Sequence, residues 1–230
     1  MEAIILAGGL GTRLKPVVNE VPKPMAPICG YPFLEILLGN LARYDIDRVI
    51  LSIGHMAQVI IDHFGDEFRG IELTYVTEDK PLGTGGALAK ALFHCRTDHT
   101  FVLNGDTFFD LEFDKVEGLW LKERRPIIVL REVADTMRYG RVEVDGGNVM
   151  QFREKNSTGP GKINAGCYLV PTNLFDQHSA RAPFSFEADF LALAVQAQDF
   201  RAFVSGGLFI DIGIPEDFNR AQTMLQPYLQ

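Results

Sequence analysis

The chain opens on a strand-like apolar run, Ala3-Ile4-Ile5-Leu6, that breaks at once into a glycine-rich turn, and the alternation of apolar run, turn and helical spacing then repeats. After Pro32, Leu34, Leu37, Leu38 and Leu41 recur at helical intervals through to Tyr44. Arg48 to Ile53 reads as a second strand, Met56 to Phe64 as a helix, Ile71 to Val76 as a third strand and Gly86 to His94 as another helix. The next strand, Thr100 to Leu103, runs into Asn104-Gly105-Asp106. Strands separated by helices of this length require right-handed crossovers, hence a largely parallel sheet whose ligand crevice lies beyond the carboxyl ends of its strands. Both glycine clusters and Asp106 fall at such ends.

From Pro126 the pattern changes to shorter strands, Ile127 to Arg131, Arg141 to Val144, Val149 to Phe152 and Ile163 to Val170, punctuated by Gly146-Gly147 and Gly159-Pro160-Gly161. These extend the same sheet in mixed or antiparallel fashion, because no Pro/Ser-rich linker divides the 230 residues. Helical patterns return at Glu187 to Gln198 and Glu216 to Leu225. Trp120 lies on an amphipathic helix between Asp114 and Arg124, and with Phe108, Phe109, Phe152 and Phe175 it is expected in the core.

Twenty-two Lys plus Arg against thirty Asp plus Glu give a net charge of -8 and a pI near 5.1. That balance argues against a protein that coats nucleic acid or an anionic membrane, so a phosphate-bearing ligand needs a local basic pocket. Cys29, Cys95 and Cys167 have no zinc-binding spacing and are expected as buried, reduced thiols. The five histidines show neither metal spacing nor a nucleophile to activate. No basic region precedes the first apolar run, and no run approaches the roughly 20 residues of a membrane span, so a cytoplasmic protein is expected.

The strongest local signal is Leu6-Ala7-Gly8-Gly9-Leu10-Gly11-Thr12-Arg13-Leu14, followed by Pro22-Lys23-Pro24-Met25. Glycines directly after a strand let backbone N–H groups close on a polyphosphate, and Arg13 and Lys23 supply positive charge. The string is not a P-loop, since no Gly-Lys-Ser/Thr follows. As a dinucleotide fingerprint it has Leu14 where the third glycine belongs, and Ile53-Gly54-His55 stands where an acidic residue is needed. A nicotinamide-dependent oxidoreductase is thereby disfavoured.

The whole string resembles the signature of the sugar-1-phosphate nucleotidyltransferases. Further along, Glu78-Asp79-Lys80-Pro81-Leu82-Gly83-Thr84-Gly85-Gly86-Ala87 looks like that family's base-reading segment, Asn104-Gly105-Asp106 its first metal site and Tyr139-Gly140 its sugar-ring contact. Phe152-Arg153-Glu154-Lys155, Asn164-Ala165-Gly166 and Asp211-Ile212-Gly213 also match, in the family's order, over essentially the entire chain. The resemblance implies a Rossmann-like three-layer α/β fold with a mixed, mainly parallel central sheet, in a single domain. Residues 1–110 would form its nucleotide-binding half and 111–230 its sugar-phosphate-binding half. The implied reaction transfers a nucleoside monophosphate, GMP preferred, from a nucleoside triphosphate to a sugar 1-phosphate and releases pyrophosphate. The short length and strings such as Phe209-Ile210-Asp211-Ile212-Gly213-Ile214-Pro215-Glu216-Asp217-Phe218 are closest to members acting on D-glycero-α-D-manno-heptose 1-phosphate.

Carried over residue by residue, Leu6, Ala7, Gly8, Gly9, Gly11, Thr12, Arg13, Glu78, Gly83 and Thr84 would bind the nucleotide. Arg13, Lys23 and Asp106 would be catalytic, and Asp106 with Asp211 would hold Mg2+. Gly140, Glu154, Lys155, Asn164 and Glu187 would bind the sugar phosphate. The chemistry suits these residue types. A sugar 1-phosphate is already largely dianionic at neutral pH, so no general base is compulsory, and the demands are in-line alignment and charge neutralisation. Carboxylates with phosphate oxygens and water are what magnesium prefers. Glu78 could accept from the N1–H and N2–H2 edge of guanine, although uridylyl-transferring relatives carry similar glutamates.

Three alternatives stay open on the residues alone: an N-acetylmuramate or hexose 1-phosphate uridylyl- or guanylyltransferase, an isolated Asp that only caps a helix, and a non-catalytic nucleotide-sugar sensor. A sensor need not keep Arg13, Lys23, Asp106, Lys155 and Asp211, all of which are present. Many relatives associate, which allows a homo-oligomer that sequence does not reveal.

Overall fold

Ala3, Ile4 and Ile5 are fully buried, as expected of a central strand covered on both faces, where hydrophobic residues run on rather than alternate. The structure is a computed structural model. It describes every residue except Leu10, Thr12, Lys15, Asn19, 154–157, 177–181, 198, 199 and 230.

In chain order the elements are β1 (Glu2–Leu6), a 3-10 turn at Lys23–Met25, β2 (Pro27–Ile28), β3 (Tyr31–Pro32), α1 (Phe33–Leu41), β4 (Arg48–Ile53) and α2 (Ala57–Phe64). They continue as β5 (Glu67–Phe68), β6 (Ile71–Thr77), α3 (Gly83–Leu92), β7 (His99–Asn104), β8 (Thr107–Phe109), α4 (Phe113–Glu123) and β9 (Ile127–Val133). The last third holds β10 (Val142–Asp145), β11 (Asn148–Phe152), β12 (Gly161–Pro171), a π-helical segment Phe186–Leu191, α5 (Ala192–Ala197), β13 (Arg201–Ser205), β14 (Phe209–Asp211) and α6 (Pro215–Met224).

The main sheet has the order β10-β11-β13-β9-β12-β7-β1-β4-β6-β5. Its block β7-β1-β4-β6 is parallel throughout, and β13 runs parallel to β9. Strand β12 is antiparallel to both β7 and β9 and joins the two halves into one sheet. One hydrophobic cluster unites one sheet face with α1, α2, α4 and α6 through Leu34, Ile60, Trp120 and Phe218. The other unites the opposite face with α3, the π-helical segment and α5 through Leu88, Phe190 and Val195. These clusters make the three layers of a single α/β domain with a mixed sheet.

Most anticipated elements form within one to three residues of their expected ends. Three features depart from expectation. The helix expected over Glu187 to Gln198 begins as a π-helical segment at Phe186, with Ser185 accepting from the Ala188 N–H at its start. Strand β13 was hidden because Phe203 and Val204 are its only large aliphatic or aromatic residues. The antiparallel pair β8 and β14, three residues each, forms outside the main sheet. The thiols are free, but only Cys167 is buried; Cys29 is exposed and Cys95 half-buried, which corrects the expectation for two of the three. Among the described residues no helix is long and apolar enough to cross a membrane.

At the edge of the sheet away from the strands' carboxyl ends, Glu2 and Arg48 form a buried ion pair, 4% and 6% exposed, at 2.7 Å. The second Glu2 oxygen accepts from the Arg96 and Thr97 amides at 2.8 and 2.9 Å and from Thr97 Oγ1 at 2.7 Å. Burial acts to raise the Glu2 carboxyl, and these hydrogen bonds with Arg48 outweigh it and hold the group below the usual carboxylate range. A depressed carboxyl adds stability above its unfolded value that is lost as pH falls through the folded one. Glu2→Gln, which removes the buried anion while Arg48 keeps only Glu72 as a charged partner, should therefore cost about 2 kcal/mol near neutral pH in urea unfolding. The gap to wild type should narrow below about pH 4.3.

Candidate active site

The strands β1, β4, β6 and β7 end on a cleft of about 590 Å³, at the position a parallel sheet dictates. Leu6, Ala7, Gly8 and Gly9 line it from the first strand end, Ser52, Gly54 and His55 from the second, and Asn104, Gly105 and Asp106 from β7. Glu78, Asp79, Gly83, Thr84 and Ala87 form the wall between β6 and α3, while Lys23 and the segment Ser185, Phe186 and Glu187 close it.

Close backbone approach explains two glycines. A Cβ on Gly8 would lie 2.6 Å from Glu78 Oε1, so any larger residue would push the carboxylate out of its position. The other oxygen of Glu78 accepts from the Leu82 N–H at 2.8 Å. Gly83 has φ +70°, and a Cβ there would stand 2.4 Å from the Phe184 carbonyl oxygen; both conformation and space demand glycine. That contact, with Gly85 N–H donating to Phe184 O at 2.9 Å and Phe186 N–H donating to Thr84 Oγ1 at 2.8 Å, fastens the start of α3 to the segment carrying Glu187.

Asp106 follows β7, and Asp211 ends β14. Residues 107–109 of β8 pair with 209–211 of β14, setting Asp211 opposite Thr107, and Ile212 N–H donates to Asp106 O at 2.9 Å. Lys23 Nζ stands 2.5 Å from Asp106 Oδ2, held in a 3-10 turn with proline on either side. Gly213 N–H donates to Asp211 Oδ1 at 2.6 Å. Burial first, and the neighbouring Asp106 charge second, raise the Asp211 carboxyl; Lys23, the Gly213 amide and Arg13 act the other way without prevailing. Arg13 is exposed yet near enough to act on Asp211. Among the described residues no group of three or more His, Cys, Asp or Glu gathers as a metal cage. The acidic donors here are therefore two carboxylates, Asp106 in the cleft wall and Asp211 close beside it.

On the other side of the cleft, Tyr168 is fully buried and donates from its hydroxyl to Glu187 Oε1 at 2.8 Å. It accepts from Asn164 Nδ2 at 2.7 Å, and Asn164 Oδ1 accepts from the Gly166 amide at 3.0 Å. Burial, then the Glu187 charge, raises the Tyr168 hydroxyl well above its usual value, so it stays protonated and donates. Sequence reading had passed over Tyr168; its even spacing from Asn164 along β12, which puts both on one face, was the available signal. Gly140 is buried at φ +81°. Its loop is tied down by Arg138, which reaches Asp217 Oδ2 at 2.5 Å.

Of the residues singled out in the sequence, Leu6, Ala7, Gly8, Gly9, Lys23, Glu78, Gly83, Thr84, Asp106 and Glu187 line the cleft. Gly11, Arg13, Gly140, Asn164 and Asp211 lie outside its described wall. Thr12, Glu154 and Lys155 fall outside the described residues.

The Nucleotidyl transferase family matches residues 2–226. A D-glycero-alpha-D-manno-heptose 1-phosphate guanylyltransferase of Aneurinibacillus thermoaerophilus is 41% identical over 230 residues, covering 100% of both chains. One from Campylobacter jejuni is 43% identical over 219 residues, 95% of this chain and 97% of its own. The crystal structure of HddC from Yersinia pseudotuberculosis complexed with GMP-PN superposes with a TM-score of 0.87 at 38% identity, covering 98% of this chain and 99% of that one. A family match over nearly every residue, joined to full-length relatives at this identity, makes the chain an enzyme of the nucleotidyl transferase family, whose members transfer a nucleotide to a sugar 1-phosphate.

Proposed function

We propose that this chain transfers GMP from GTP to D-glycero-α-D-manno-heptose 1-phosphate, releasing pyrophosphate and forming a nucleotide-diphospho-sugar. The observation that carries the chemistry is the meeting of Asp106, Asp211 and Lys23 at the mouth of a glycine-walled cleft. The base and sugar are supported by the two heptose guanylyltransferase relatives and the structure with GMP-PN. In this reading residues 1–110 form the nucleotide half and 111–230 the sugar-phosphate half, acting in the cytoplasm.

Relatives in this family generally use a divalent metal, and Asp211, raised by burial and then by the neighbouring Asp106 charge, forms with Asp106 a pair that fits a small cation with oxygen preference. Asp106 and Asp211 would hold Mg2+, which when bound supplies charge neutralisation at the reacting phosphates. Lys23 then turns from Asp106 toward the α-phosphate. Arg13, outside the cleft wall, grips the β- and γ-phosphates of the leaving group, while amides of the glycine loop at Gly8, Gly9 and Gly11 receive the triphosphate, with Leu6, Ala7 and Thr12 completing the nucleotide site. Glu78, Gly83 and Thr84 bound the base. Asn164 and Glu187, locked together by Tyr168, hydrogen-bond sugar hydroxyls, with Glu154, Lys155 and Gly140 completing the acceptor site. The acceptor phosphate is its own nucleophile, so the protein's task is alignment and electrostatics.

Pyrophosphate release should be fastest for GTP with the heptose 1-phosphate in a matrix of GTP, UTP, CTP and ATP against the heptose phosphate, mannose 1-phosphate and N-acetylmuramic acid 1-phosphate. A faster reaction with either competing sugar, or with UTP, overturns the assignment. Asp106→Asn and Asp211→Asn should each lower kcat at least about a hundredfold, since each removes one anionic ligand. Asp211→Asn should melt no lower than wild type without ligands, because a carboxyl raised by burial destabilises the fold when ionised. Near-normal turnover in both variants would remove the metal assignment.

A further inference from the structure

One buried polar atom at the cleft has no role in the chemistry described so far. Ser52 is 1% exposed, lines the cleft, and its Oγ has no hydrogen-bond partner among the described residues. A buried hydroxyl left unpaired costs free energy, and native structures keep few of them without reason. Its place in the sheet sets it against the cleft wall. Ser52 lies beside Leu6 of β1 and Val76 of β6 in register. Its side chain therefore shares their sheet face, the one covered by α3, and Ala87 of α3 lines the same cleft. Its own backbone is already committed, the carbonyl accepting from the Ala7 N–H at 2.8 Å.

Glu78 stands two residues beyond Val76 on the same face, nearer the mouth. One of its oxygens is occupied by the Leu82 amide, and the other faces Gly8. The Watson–Crick edge of guanine presents two adjacent donors, N1–H and N2–H2, and a carboxylate with one oxygen so engaged leaves the second donor needing another acceptor. A purine also reaches farther into a slot than a pyrimidine. We infer that the Ser52 hydroxyl, at the floor of the cleft, accepts a hydrogen bond from the 2-amino group of guanine and thereby contributes to choosing GTP. This rests on the guanylyl reading given above.

The test compares GTP with inosine triphosphate, which lacks only the 2-amino group, and with UTP, by calorimetric binding to wild type and Ser52→Ala in the presence of Mg2+. No acceptor sugar is needed. Wild type should bind GTP more tightly than inosine triphosphate, and Ser52→Ala should narrow that preference about tenfold, the worth of one hydrogen bond in a dry site. The unliganded variant should melt at or above the wild-type temperature, since it loses a hydroxyl that has no partner in the free protein. A GTP-preferring wild type whose preference survives the substitution overturns this inference alone. So does a clear drop in the melting temperature of the unliganded variant, which would reveal a structural partner. Tighter wild-type binding of UTP than of GTP overturns the guanylyl reading and this inference with it.

Discussion

Two carboxylates more than a hundred residues apart in the chain are brought together by a pair of three-residue strands that belong to no larger sheet. The β8 and β14 ladder sets Asp211 opposite Thr107, and the Ile212 amide locks onto the Asp106 carbonyl. Burial first and the like charge of Asp106 second raise the Asp211 carboxyl, so the arrangement is unfavourable on its own. The surrounding fold has to impose the arrangement, and it does so with apolar burial: Phe108 and Ile210, paired across the ladder, are 0% and 3% exposed. Lys23 offsets part of the repulsion from a proline-braced turn.

The nucleotide side of the cleft depends on a different constraint, the absence of side chains. Gly8 admits the Glu78 carboxylate, and Gly83 admits the Phe184 carbonyl. Each contact removes freedom from a neighbour that faces the ligand, so the cleft is set before anything binds. The α3 start and the π-helical segment are joined by three short contacts at Gly83, Thr84 and Gly85. Glu187, which lies on that segment, is thereby tied to the wall that bounds the base, and its carboxylate is fixed from below by a tyrosine that burial keeps protonated. In the proposed assignment the base wall and the sugar wall share one rigid support, an arrangement suited to in-line transfer, where small misplacements are expensive in rate.

The parallel half of the fold was legible because its central strands, such as Arg48–Ile53, are buried on both faces and bounded by helices with their own period. The glycine loop and Asp106 were legible for the same reason: they follow such strands directly. What sequence could not supply was pairing between distant short strands. Nothing local in Phe209-Ile210-Asp211 says that it meets Thr107-Phe108-Phe109, and only the motif resemblance linked the two acids. Tyr168 stayed hidden because a buried tyrosine in an apolar strand looks like core until its hydroxyl partners are seen. Ser52 stayed hidden because one serine in an apolar strand carries no signal until its surroundings leave the hydroxyl unpaired. The exposed Cys29 was misjudged because composition gives a thiol's average burial and not its place, here at a turn where Sγ meets the Gln222 carbonyl at 2.8 Å.

The charge balance finally explains why a chain of net charge -8 can handle two phosphorylated substrates. The described charged side chains lining the cleft are Lys23 against Glu78, Asp79, Asp106 and Glu187, with Arg13 and Asp211 beside it. An acidic pocket does not attract a triphosphate and a phosphate dianion together, so the free site is not a ready anion trap. In the proposed reaction Lys23 would leave Asp106 for a phosphate, and the repulsion between Asp106 and Asp211 would then favour a divalent ion held by the two carboxylates. The triphosphate and the cation would thereby each favour the other's binding. Binding of the two should be mutually dependent, a coupling that follows from four side chains and needs no change of fold.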